Sequence, residues 1–140
     1  MQQTLTMIKP DSMIAGNAGN ILAHLEGEGF KIVALKRIHL SEEQARAFYE
    51  VHKERPFYND LVAFMTERPI IAAVLEREDA VAHLRQVMGA TNSQEAAEGT
   101  VRALYGTDIE RNAIHGSDSQ ENAAKESAFF FSGAELIPLC

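Results

Sequence analysis

The chain has a single cysteine, and it is the last residue, Cys140. One thiol can form neither an intrachain disulfide nor a cysteine-built metal centre, and such sparing cysteine use fits a reducing compartment. Basic charge is scarce as well. Thirteen Lys and Arg against 20 Asp and Glu leave a net charge of −7, which argues against a general nucleic-acid binder that must neutralise many phosphates. A small anionic ligand remains compatible, because a few cations focused into one cleft override the overall sign. Long apolar runs are missing too: Ile70 to Leu75 is far too short to span a membrane. Gln2-Gln3-Thr4 leads directly into a strand pattern, without the basic-then-apolar order of a signal peptide. There is no linker, internal repeat or low-complexity tract. These absences set an expectation of one domain over residues 1–140, cytoplasmic, with neither a membrane nor a specific nucleic acid as partner.

What is present supports a packed core, since 46% of residues are hydrophobic. Thr4 to Ile8 reads as a strand stopped by Pro10-Asp11. Asn17 to Glu28 reads as a helix with Ala18, Ile21, Leu22 and Leu25 on one face and Gly29 at its stop. Lys31 to Leu40 is a second strand. Ser41-Glu42-Glu43-Gln44 is a capping box that opens a helix to about Tyr49. After a break at Lys53 to Pro56, Phe57 to Met65 is a further short helix. Ile70 to Leu75 suits a strand buried on both faces. Asp79 can cap a helix running to Met88. Gly89 to Arg111 is polar and weakly periodic, a long loop of the functional kind. Asn112 to His115 is a short strand, and Ser117-Asp118-Ser119 opens a helix ending near Phe131. The order β-α-β-α-α-β-α-loop-β-α predicts an α/β (α+β) fold: a ferredoxin-like βαββαβ sandwich with a four-stranded antiparallel sheet covered by helices.

Chemistry concentrates at one point. His24 and His83 lie on helix flanks and read as solvated; His39 ends a strand and His52 sits in a polar break. No two histidines have the i,i+4 spacing of a helical metal site. His115 differs, because it closes a strand and is followed at once by Gly116-Ser117-Asp118-Ser119, where the next helix presents free N–H groups to an anion. Lys9, Arg55, Arg85 and Arg102 are each unremarkable alone. Their meaning lies in combination.

In order along the chain stand Lys9-Pro10-Asp11, Arg55-Pro56-Phe57, Met88-Gly89-Ala90-Thr91-Asn92, Gly99-Thr100-Val101-Arg102 and Asn112-Ala113-Ile114-His115-Gly116-Ser117-Asp118. Together they resemble the nucleoside diphosphate kinase family over essentially the whole chain. The resemblance implies transfer of a γ-phosphoryl group from a nucleoside triphosphate to a nucleoside diphosphate, in a ping-pong cycle through a phosphohistidine. His115 matches the nucleophile, attacking through its δ nitrogen, and Glu126 matches the carboxylate that orients the ring. Lys9, Tyr49, Arg85, Thr91, Arg102 and Asn112 match residues around the phosphates and sugar, Lys9 among the catalytic set. Phe57 matches the aromatic that stacks on the base, and Arg55 a supporting position. Mg²⁺ is implied with the nucleotide, not held directly by the protein, with Asp118 reaching it through water. The family forms dimers that assemble further, and the short C-terminal tail favours a tetramer over a hexamer. Three positions depart from the pattern: Ala15 where a basic residue is usual, Arg68 where Gly precedes the proline, and Ser93 in place of Pro. Proline is expected to be tolerated at 93. The competing reading is a catalytically silent, nucleotide-binding regulatory module; the survival of nucleophile, carboxylate and cations favours the enzyme.

Overall fold

A computed structural model describes residues 1–138, so Cys140 lies outside the described residues. In chain order the elements are β1 (Gln2–Ile8), α1 (Pro10–Ile14), α2 (Ala18–Gly27), β2 (Lys31–Ile38), α3 (Glu42–Phe48), α4 (Tyr58–Thr66), β3 (Ile70–Arg77), α5 (Ala80–Met88), α6 (Val101–Tyr105), β4 (Ile114–Gly116) and α7 (Gln120–Phe130). Short 3₁₀ turns lie at Glu50–His52, Ser93–Glu95 and Gly133–Leu136. The sheet has the order β2-β3-β1-β4, antiparallel at every pairing. This is the expected four-stranded antiparallel sandwich.

The central strands explain the core. β1 and β3 are buried on both faces, and alternation divides their side chains between two clusters. Leu5, Met7, Ala72 and Val74 pack with Ala45 of α3, Val62 and Met65 of α4, and Phe130 of α7. Ile8 and Leu75 pack on the opposite face with Ile21 and Leu25 of α2, Leu84 and Met88 of α5, and Val101 of α6. Helices therefore cover both faces of the sheet.

Local signals act as the sequence suggests, with instructive exceptions. The Ser41–Gln44 capping box is formed in both directions. Asp79 does not cap α5; it takes a left-handed conformation with φ 53°, and the Gln2 side chain accepts from the Val81 N–H instead. The polar stretch expected to be loop contains α6, whose five residues are too few to show a 3.6-residue period. Thr100 caps it by accepting from the Ala103 N–H. Pro10 starts α1 as well as stopping β1, as its fixed φ allows.

Candidate active site

The site is built where the carboxyl end of β1 meets β4. Antiparallel pairing sets Met7 opposite His115 and Ile8 opposite Ile114. Lys9, the next residue on, donates its N–H to the Ala113 carbonyl. Two segments about a hundred residues apart thus deliver a cation and an imidazole to one point. Gly116 lets β4 pack closely on α5: a Cβ would stand 2.8 Å from Met88 Sδ and 2.9 Å from Leu84 Cδ2, so those two side chains would have to shift.

A cleft of about 520 Å³ opens at this point. Lys9, Phe57, Arg85, Thr91, Arg102, Asn112, His115, Asp118 and Glu126 all line it, as do His52 and Ile109. His115 Nε2 lies 2.8 Å from Glu126 Oε1. A carboxylate only accepts, so this contact requires a proton on Nε2, and in the neutral ring the lone pair is then on Nδ1. Glu126 is itself held, since Ser117 Oγ donates to the same oxygen at 2.7 Å. Ser117 is fully buried, and the sequence offered no sign of its role beyond a capping pattern.

The cations are held in unlike ways. Lys9 Nζ donates to Asn112 Oδ1 at 2.8 Å, while Asn112 Nδ2 donates to the carbonyls of Thr91 and Ile109. Burial, and then the Arg102 charge, lower the Lys9 pKa to about 8. Arg102, on α6 and not in loop, sends its fork to the carbonyls of Gly89, Asn112 and Ile114 at 3.0, 3.3 and 2.9 Å. Burial and then Arg85 lower its pKa to about 10. Arg102 therefore ties the segment after α5 to β4 with three of its five donors and keeps two for a ligand. Arg85 lines the same wall, and its guanidinium is free of such bonds among the described residues. Asp118 is held below the usual carboxylate range, chiefly by the Asn122 amide and also by Arg85.

Two expected residues stand elsewhere. Tyr49 does not line the cleft; it is 6% exposed, and its buried hydroxyl has no partner among the described residues. Burial, then the Glu126 charge, holds that hydroxyl firmly protonated. Tyr49 ends α3 and turns into the core behind the site, with Phe48 and His52 against its ring. Arg55 is exposed in the turn before α4 and does not line the cleft either. Conversely, His52, in its polar break, lines the cleft, and its ring lies between those of Tyr49 and Phe57, 5.5 Å from the latter. Ile109, 64% exposed, shares the cleft with Phe57, 48% exposed. Its position in polar loop gave no periodic signal. His24 and His83 are half-buried flank residues; His83 meets Glu28 and the Phe30 ring. Of the departures, Ala15 ends α1 through backbone bonds alone, and Arg68 is accommodated in the turn before β3.

Several cations lining one cleft beside a carboxylate-held imidazole, with exposed apolar groups in the same cleft, suit a phosphotransferase that handles nucleotides. Comparison with known proteins narrows that class. The family described as Nucleoside diphosphate kinase matches residues 2–136, and the chain belongs to it. It is 51% identical to the nucleoside diphosphate kinase of Persephonella marina over 137 residues, 98% of each chain. It is 54% identical to that of Gluconobacter oxydans over 138 residues, 99% of each. Among solved structures, the Aquifex aeolicus nucleoside diphosphate kinase superposes with a TM-score of 0.95 at 48% identity, covering 97% of this chain and 99% of that one. The Halobacterium salinarum enzyme, solved in complex with CDP, gives 0.94 at 41% identity, covering 99% and 93%.

Proposed function

We propose that this nucleoside diphosphate kinase works by a ping-pong cycle in which His115 carries the phosphoryl group. The observation that carries the reading is the His115–Glu126 bond of 2.8 Å, which engages Nε2 and so assigns the attacking lone pair of a neutral ring to Nδ1. In the first half-reaction Nδ1 attacks the terminal phosphorus of a nucleoside triphosphate. The bond from that phosphorus to the bridging oxygen breaks, and a nucleoside diphosphate leaves. In the second, a terminal phosphate oxygen of the acceptor diphosphate attacks the same phosphorus, the N–P bond breaks, and the neutral imidazole returns. The Nε2 proton stays between His115 and Glu126 throughout.

Charge neutralisation and positioning supply most of the catalysis in phosphoryl transfer. Lys9, Arg85 and Arg102 serve as the cations, with Thr91 donating to phosphate and Asn112 Oδ1 accepting from a sugar hydroxyl. Phe57 serves as the platform for the base, with the His52 ring between it and Tyr49. Mg²⁺ carried by the nucleotide would neutralise its phosphates. The donor set fits that arrangement: Asp118 is one ionised carboxylate in the cleft, suited to a water-mediated contact, and no group of three His, Cys, Asp or Glu gathers to hold a metal among the described residues. We assign residues 1–140 to one domain. β2 is an edge strand with Leu35 exposed, which is compatible with a homo-oligomer built from dimers; the preference for a tetramer over a hexamer comes from the resemblance and the short C-terminal tail. No helix among the described residues is long and apolar enough to cross a membrane, and a cytoplasmic location is part of the proposal.

The test is direct. Enzyme mixed with γ-labelled ATP and no acceptor should hold one labelled phosphate per chain. The label should be lost in acid, kept in alkali and removed by a nucleoside diphosphate. His115→Ala should not be labelled; transfer by that variant at a near wild-type rate would overturn the cycle.

A further inference from the structure

Three carboxylates line the cleft: Glu110, Asp118 and Glu126. Glu126 is engaged by His115 and Ser117, and Asp118 by Asn122. The Glu110 carboxylate has no hydrogen-bond or ion-pair partner among the described residues. An unpaired negative charge in a cleft for a polyanion is unfavourable towards phosphate. Its place suggests a different partner.

The backbone that presents Glu110 is fixed on several sides. Asp108 Oδ1 accepts from the N–H groups of Glu110 and Arg111, at 3.0 and 2.8 Å. Asn112 Nδ2 donates to the Ile109 carbonyl at 3.2 Å. Arg111 reaches Glu67 at 3.1 Å and lies over the Phe64 ring at 4.8 Å, docking the segment on α4. Phe57 caps α4 and Leu61 stands one turn further along it, and both line the cleft. Ile109, Phe57 and Val51 are the strongly exposed large apolar groups that line the cleft, and Glu110 follows Ile109 directly in the chain.

We propose that Glu110 reads the base: its carboxylate accepts from the donor edge of a purine or pyrimidine held between Phe57 and Ile109. This rests on the assignment of Phe57 as the platform for the base. Guanine matches best, since N1–H and the 2-amino group donate side by side to one carboxylate in a bidentate pair. Adenine and cytosine each offer a single exocyclic amine. Uracil and thymine flank their one N–H with carbonyl oxygens, which a carboxylate repels. Stacking alone accepts every base, so Glu110 adds a preference to an otherwise permissive site.

The decisive comparison is GDP against IDP, which differ only in the 2-amino group. In wild-type enzyme, kcat/KM for GDP should exceed that for IDP by about threefold to tenfold, the size of an exposed charge-assisted hydrogen bond. In Glu110→Ala the ratio should fall to about one, while UDP becomes a better acceptor relative to GDP. A GDP/IDP ratio unchanged by the substitution overturns the proposal. So does an equal loss for both acceptors, which would place Glu110 against sugar or phosphate. Equilibrium binding of GDP and IDP to the two proteins reads the same ratio without turnover, so a failure of the phosphohistidine cycle would not disturb this test.

Discussion

Asp11 accepts a hydrogen bond from the backbone N–H of Ala113 at 3.1 Å. Ala113 has φ 74°, an unfavourable conformation for a residue with a Cβ. The Ile114 N–H donates back to the Asn112 carbonyl at 2.9 Å, closing a γ-turn around it. Lys9 N–H holds the Ala113 carbonyl at 2.9 Å. Lys9-Pro10-Asp11 thus clamps a strained turn from both sides. The turn aims Asn112 at Lys9 and starts the strand that carries His115. Asp11→Ala should release it and lower kcat at least tenfold. Ala113→Gly, which makes positive φ accessible without a clamp, should restore much of the loss when added to Asp11→Ala. The check is a double-substitution cycle in kcat and in phosphohistidine yield. Strictly additive effects would mean that Asp11 acts elsewhere.

Ser117 and Glu126 should behave as one unit. Ser117→Ala removes the second donor to Glu126 Oε1 and loosens the carboxylate that orients His115. The expected cost is about 10-fold in the labelling rate, the low end for groups that position a catalytic ligand. Glu126→Ala should cost more without abolishing labelling. Adding Ser117→Ala to Glu126→Ala should change nothing further. Rapid-quench measurement of label transfer gives all three numbers.

Lys9 imposes opposite pH trends on stability and binding. Its folded pKa is lowered to about 8, whereas an unfolded lysine titrates near 10.4. Between those values the unfolded chain binds more protons, so the Lys9 contribution to stability rises with pH. Nucleotide affinity should fall over the same range, because a neutral amine no longer neutralises phosphate. Urea unfolding and ADP calorimetry from pH 7 to 9.5, each compared with Lys9→Met, isolate the effect. Above pH 8, ADP binding should take up a proton in wild-type enzyme and not in the variant.

Ser93 corrects the expectation that proline suits that position. Its N–H donates to the Asp108 carbonyl at 3.3 Å, a bond that proline would delete. Its buried hydroxyl has no partner among the described residues and sits where a Gly106 side chain would be, 2.0 Å from an ideal Cβ. Ser93→Ala keeps the N–H and removes an unsatisfied buried oxygen, and is expected to stabilise by about 1 kcal/mol. Ser93→Pro should melt below Ser93→Ala. Calorimetric melting of both variants decides the order.

Most of the architecture was legible because its signals are local. The apolar run at Ile70–Leu75, the Ser41 box and the Gly29 stop each act within one element. The residues that gather at the cleft were legible as ordered motifs, from Lys9 to His115, because chemistry restricts residue type at those points. By contrast, α6 was hidden by its shortness, and the α5 cap comes from Gln2, some 79 positions away in sequence. Tertiary structure alone decided that Tyr49 turns inward, that Arg102 spends three donors on carbonyls, and that Ser117 supports Glu126. It also decided that Ile109 and Glu110 join Phe57 at the cleft. The reason is physical: burial, desolvation and the pairing of donors with acceptors depend on neighbours brought together by folding, whereas periodicity and capping are written in adjacent residues.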